Sequence, residues 1–143
     1  MQIPKYMSKI SGPLLDRIDL HLEVPAVEYK GLSSKAEGES SASIRQRVIS
    51  AREIQMKRFE RRKGMYCNAD MESKDIQMFC KLDAAGEELL KMAITKIGLS
   101  ARAYDRLLKV GRTIADLASS TNIRPEQVCE AIQYRSLDRN LFY

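Results

Sequence analysis

The stretch Ser100-Ala101-Arg102-Ala103-Tyr104-Asp105-Arg106-Leu107-Leu108-Lys109-Val110-Gly111-Arg112-Thr113-Ile114-Ala115-Asp116-Leu117-Ala118 reads as an amphipathic helix. Tyr104, Leu107, Leu108, Gly111, Ile114, Leu117 and Ala118 recur at three- and four-residue intervals on one face. Arg102, Arg106, Lys109, Thr113 and Asp116 fill the other, and Ser100 stands where an N-cap belongs. One apolar face on a helix this long demands partners, so the neighbouring segments must supply matching stripes.

They do so on both sides. Upstream, Asp83 is placed to cap a helix running to about Ile97, whose Leu89, Leu90, Ala93, Ile94 and Ile97 repeat at the same interval, and Gly98 follows as a C-terminal glycine. Downstream, Pro125 occupies a favoured first helical position, and the last helix buries Val128, Ala131 and Ile132 before fading after Tyr134. A shorter helix is predicted over Lys74 to Cys80, after the turn-like Asn68-Ala69-Asp70, with Ile76, Phe79 and Cys80 inward. From about Ala42 to Lys63 no Gly or Pro occurs, and Ile44, Val48, Ala51 and Phe59 lie near one stripe. Ser41 or Ser43 is its predicted N-cap, and Gly64 ends it.

Glu28 to Ser43 contains Gly31, Gly38 and five serines without periodicity, which marks a loop or linker. Before it, Leu20, Leu22 and Val24 alternate with His21 and Glu23, the period of a short strand ended by Pro25. The predicted fold class is all-α, a bundle of four to five helices preceded by a short strand.

A chain of 143 residues, 44% hydrophobic and 30% charged, has the composition of one soluble globular domain. No apolar run approaches the roughly 20 residues of a membrane span, and Met1-Gln2-Ile3-Pro4-Lys5 lacks a signal-peptide core, so a cytoplasmic location with no membrane partner is expected. Cys67, Cys80 and Cys129, with the single His21, match no zinc-ligand spacing, and no metal site is expected. Residues 44 to 63 set eight basic side chains against Glu53 and Glu60, a local net charge of +6 in a chain of net +5. Such a concentration draws phosphate, from nucleotide or nucleic acid, or else makes a solvated helix face.

Three ordered motifs carry a family resemblance. They are Ser11-Gly12-Pro13-Leu14-Leu15-Asp16-Arg17-Ile18-Asp19-Leu20, Leu99-Ser100-Ala101-Arg102-Ala103-Tyr104 and Arg112-Thr113-Ile114-Ala115-Asp116-Leu117, with Glu130-Ala131-Ile132-Gln133-Tyr134-Arg135 as a closing helix. Together they resemble the carboxy-terminal portion of the magnesium-chelatase-like AAA+ ATPases of the ComM type, over nearly the whole chain. The resemblance implies a helical lid at 44–143, a linker at 27–43, and at 1–26 a remnant of the α/β nucleotide-binding core. No G-x-x-x-x-G-K-[ST] occurs here, and no apolar strand ends in paired acids, so ATP and Mg2+ are expected as cofactors of the full-length protein only. This segment by itself is expected neither to bind them nor to hydrolyse ATP.

Two arginines carry over. Arg17 resembles the arginine finger, acting in trans on the nucleotide of a neighbouring subunit. A guanidinium stays charged and forks onto phosphate oxygens, which suits stabilisation of phosphoryl transfer. Its alternative is a local ion pair with Asp16 or Asp19. Arg102 resembles the sensor-2 arginine, directed at the ATP γ-phosphate from a helix N-terminus whose dipole adds to the attraction. Its alternative is an exposed first-turn arginine. The partners implied are the chain's own AAA+ core, neighbouring subunits in a hexameric ring, and DNA during recombination, whereas the chelatase relatives insert magnesium into a porphyrin. Two other classes compete. Ile114 to Ala118, Asn122-Ile123 and Pro125 to Ile132 have the rhythm of a helix-turn-helix, although Glu126 and Glu130 suit a phosphate backbone poorly. A plain helical interaction module for an acidic partner is the other.

Overall fold

The computed structural model describes residues 9–15, 17–25, 38–98 and 100–135. These residues form one helical turn, Gly12–Leu15, and five longer helices: α1 Ser41–Phe59, α2 Ser73–Phe79, α3 Ala84–Ile97, α4 Ala101–Leu117 and α5 Pro125–Gln133. A 3-10 turn, Asn68–Asp70, lies between α1 and α2. The architecture is all-α, and among the described residues the only β pairing is an isolated parallel bridge between Leu82 and Ile123, which ties the loop before α3 to the loop before α5.

The helix boundaries follow local chemistry. Asp83 accepts the Gly86 N–H at 2.7 Å and starts α3. Gly98, at φ 68°, takes the left-handed conformation that ends it at little steric cost. Ser100 then accepts the Ala103 N–H at 3.2 Å and starts α4, three residues after α3 ends.

The core joins all five helices. Phe59 of α1, Ile76 and Cys80 at α2, Leu90 of α3, Leu107, Leu108 and Ala115 of α4, and Val128 and Ala131 of α5 are buried together. Phe59 and Phe79 meet edge to face at 5.5 Å, an arrangement worth about 0.5–1.5 kcal/mol beyond the area it buries.

Several expectations need correction. The N-cap of α1 is Ser40, whose hydroxyl accepts from Ser43 N at 3.2 Å, one residue ahead of the two predicted serines. That helix stops at Phe59, because the Arg62 N–H turns to the Phe59 carbonyl at 2.7 Å and begins the tight passage to Gly64. Ile44 and Val48, expected in the core, are 42% and 46% exposed, since the globule lies only under the second half of α1. Leu20 to Pro25 form no strand: Leu22 and Val24 are exposed and no second strand stands beside them among the described residues. The rest of the predicted linker, 27–37, lies outside the described residues.

Candidate nucleotide-contacting site

The site is built on α4, and α4 is fixed by a buried polar knot on its last two turns. Asp116, 1% exposed, accepts two bonds from Arg58 of α1 at 2.5 and 2.7 Å, one from Arg112 Nε at 3.1 Å and one from Asn68 at 2.8 Å. Arg112 spends its other donors on the carbonyls of Ser120 and Thr121, at 2.6 and 2.8 Å, and so closes the turn after the helix. Asn68 also donates to Thr113 Oγ1 at 3.0 Å, and its carbonyl oxygen accepts from Arg58 at 2.8 Å. A carboxylate buried this deeply is tolerable only when its lone pairs are filled, and here they are. Burial pushes the Arg112 guanidinium below its ordinary range, while Asp116 beside it pulls the other way. Burial also pushes the adjacent Cys80 thiol up to about 11, which keeps it protonated and inert near neutrality.

The adjoining stripe of α4, which shares Thr113 with this knot, lines a cleft of about 570 Å³. Val110, Ile114 and Leu117 give it an apolar floor, Tyr134 and Glu130 of the α5 end form the far wall, and Asp19 and Leu20 close it from the amino-terminal segment. Arg102, Arg106 and Lys109 rise along its edge at successive turns. Two of these cations are engaged: Arg106 pairs with Asp19, and Lys109 donates to the Ala69 carbonyl at 2.8 Å. Arg102, exposed in the first turn of α4, has no hydrogen bond or ion pair among the described residues. It therefore stands at a helix N-terminus with a guanidinium unpaired among the described residues, an arrangement that attracts an anionic oxygen.

Arg17 is not among the residues that line the cleft. The turn Ser11 to Arg17 is closed by Leu14 N to Ser11 O at 2.9 Å and Arg17 N to Leu14 O at 3.0 Å, and the Arg17 side chain is exposed outside the cleft lining. Of the two local acids expected as alternatives, Asp19 pairs with Arg106 instead, and Asp16 lies outside the described residues. The segment beyond Arg17 is fastened to the bundle. His21 N donates to the Tyr134 carbonyl at 2.7 Å, and Arg135, 1% exposed, donates to the Ile18 carbonyl.

Sequence reasoning put Arg102, Arg106, Lys109 and Thr113 on one face, which they share, but placed Asp116 there too, and Asp116 is buried. Tyr104 and Leu117, expected in the core, are each 38% exposed. Arg135 went unrecognised as an anchor; its position two residues past the end of α5, where a cation meets unpaired carbonyls, was the available signal.

The described residues thus form an all-α bundle with an exposed arginine in the first turn of α4. The chain belongs to the family described as magnesium chelatase, subunit ChlI C-terminal, whose pattern matches residues 38–135, and residues 1–32 match the magnesium chelatase, subunit ChlI family. It is 43% identical over 141 residues to the competence protein ComM of Haemophilus influenzae, covering 98% of this chain and 27% of that protein. It is 44% identical over 144 residues to the Escherichia coli protein YifB, covering 99% of this chain and again 27% of the relative. A Mycobacterium tuberculosis protein is 36% identical over 131 residues, with 92% and 26% coverage. The chain thus spans about a quarter of the length of these relatives.

Proposed function

We propose that this chain is the lid portion of a ComM-like AAA+ ATPase, in which Arg17 serves as the arginine finger in trans and Arg102 as the sensor-2 arginine of its own subunit. The observation that carries the reading is Arg102, a guanidinium free among the described residues at the N-terminus of α4, on the rim of a cleft closed by the segment that bears Arg17. An ATP γ-phosphate fits that position chemically, because a helix N-terminus and a guanidinium act together on an anion. In this reading ATP and Mg2+ are cofactors of the full-length protein.

The chemistry assigned to this chain is electrostatic. Arg17 supplies positive charge as negative charge builds on the neighbour's transferring phosphoryl group, and Arg102 reports whether its own subunit holds a γ-phosphate. Because Arg102 rides on α4, loss of that phosphate changes the angle at which the bundle sits on the core, which turns hydrolysis into movement. DNA is the proposed substrate of that movement, a reading supported by the exposed cations of α1. A helix-turn-helix reading is disfavoured, since Glu126 and Glu130 are both exposed on α5.

The test uses the full-length protein. Arg17→Ala is expected to lower ATP turnover by about 10³-fold while leaving nucleotide affinity near wild type, because the finger acts on the transition state. Arg102→Ala is expected to lower turnover and weaken ATP binding, since its contact lies within one subunit. Steady-state turnover and equilibrium nucleotide binding measure both, and wild-type kinetics in either variant would remove that residue from the site.

A further inference from the structure

The Arg17 segment is held by the bundle through backbone atoms as well as side chains. The carbonyl immediately after Arg17, that of Ile18, is taken by the Arg135 guanidinium, which is 1% exposed. Three residues on, the Tyr134 carbonyl accepts from His21 N at 2.7 Å, satisfying a group left open by the end of α5. Between these two anchor points Asp19 pairs with Arg106, one turn along α4 from Arg102. Arg135 stands just beyond the C-terminus of α5, where the helix dipole favours a cation, and its planar fork fixes direction as well as charge.

We propose that Arg135 is a positioning residue for Arg17: with the Asp19–Arg106 pair, it fastens the finger segment to the bundle so that Arg17 moves as one body with the helix carrying Arg102. The inference rests on the reading of Arg17 as a finger. Its consequence is that a change of lid angle sensed at Arg102 in one subunit carries Arg17 toward or away from the site of the next. A misplacement of about 1 Å at such a group costs on the order of 10²-fold in rate, so the anchor has leverage on turnover without touching nucleotide.

The experiment compares ATP turnover of the full-length protein as wild type, Arg17→Ala, Arg135→Met, Arg135→Lys, Asp19→Asn and the Arg17→Ala/Arg135→Met double variant. Arg135→Met is expected to lower kcat by about 10²-fold with KM unchanged. Arg135→Lys, which keeps a donor for the Ile18 carbonyl, is expected to recover part of that loss, and Asp19→Asn, altered at an exposed side chain, to lower kcat several-fold. The double variant is expected to be no slower than Arg17→Ala, since the anchor acts through the finger. Multiplied losses in the double variant would overturn the inference, because they would assign Arg135 a role apart from Arg17. Full loss in Arg17→Ala beside wild-type turnover in Arg135→Met or Asp19→Asn would overturn it while leaving the finger reading intact. Wild-type turnover in Arg17→Ala would overturn both.

Discussion

At the scale of single residues, the chain divides its arginines between two tasks. Arg58 and Arg112 are consumed by Asp116, and Arg62 pairs with Asp75 at 2.9 Å, so these side chains hold the bundle together. Arg17 and Arg102 make no such bond among the described residues. The division explains why Arg112 and Asp116 share one sequence motif: the pair is an i,i+4 clasp on α4 and reaches across to α1. Asp116→Ala is expected to destabilise the fold by about 3–5 kcal/mol, because it strands two arginines whose partner is gone. Denaturant unfolding of the bundle measures this, and a destabilisation below about 1 kcal/mol would show that the knot contributes little.

Among the helices, α3, α4 and α5 were legible because each announces itself by a cap: Asp83 and Gly98 for α3, Ser100 for α4, Pro125 for α5. Less of α1 was legible. Its apolar stripe runs through Ile44 and Val48, but periodicity records a face and says nothing about how far a neighbour extends beneath it. The buried polar knot was hidden for a related reason, since charged residues read as surface until their partners, here more than 40 residues apart in sequence, are seen together. Arg102 was legible by its place after a capping serine, whereas Arg135 depended on a carbonyl 117 residues away. The same folding resolves the basic run of α1 and the turn after it. Arg47 pairs with Glu39 and Arg58 and Arg62 face the bundle, but Arg45, Arg52, Lys57, Arg61 and Lys63 are exposed. If DNA lies along this helix, replacing Arg52, Lys57 and Arg61 by glutamine in the full-length protein is expected to weaken binding. The plot of log affinity against log salt should then flatten by about 0.9 for every phosphate no longer neutralised. A titration showing an unchanged slope would place the DNA path elsewhere.

For the whole molecule, the proposed role of this bundle is to complete two nucleotide sites at once, its own through Arg102 and a neighbour's through Arg17. In that proposal the anchoring of the Arg17 segment to α4 and to the end of α5 is the physical link between them. A ring built this way couples adjacent sites by geometry, since a rigid body cannot change its angle at one end alone. The most direct measurement mixes two inactive forms of the full-length protein: Arg17→Ala subunits, with an intact core, and subunits whose phosphate-binding loop is disabled but whose Arg17 is intact. ATP turnover is expected to return on mixing, because each disabled-loop subunit would lend its Arg17 to the intact core beside it. A mixture as inactive as its components, in rings shown to contain both, would contradict a finger acting in trans.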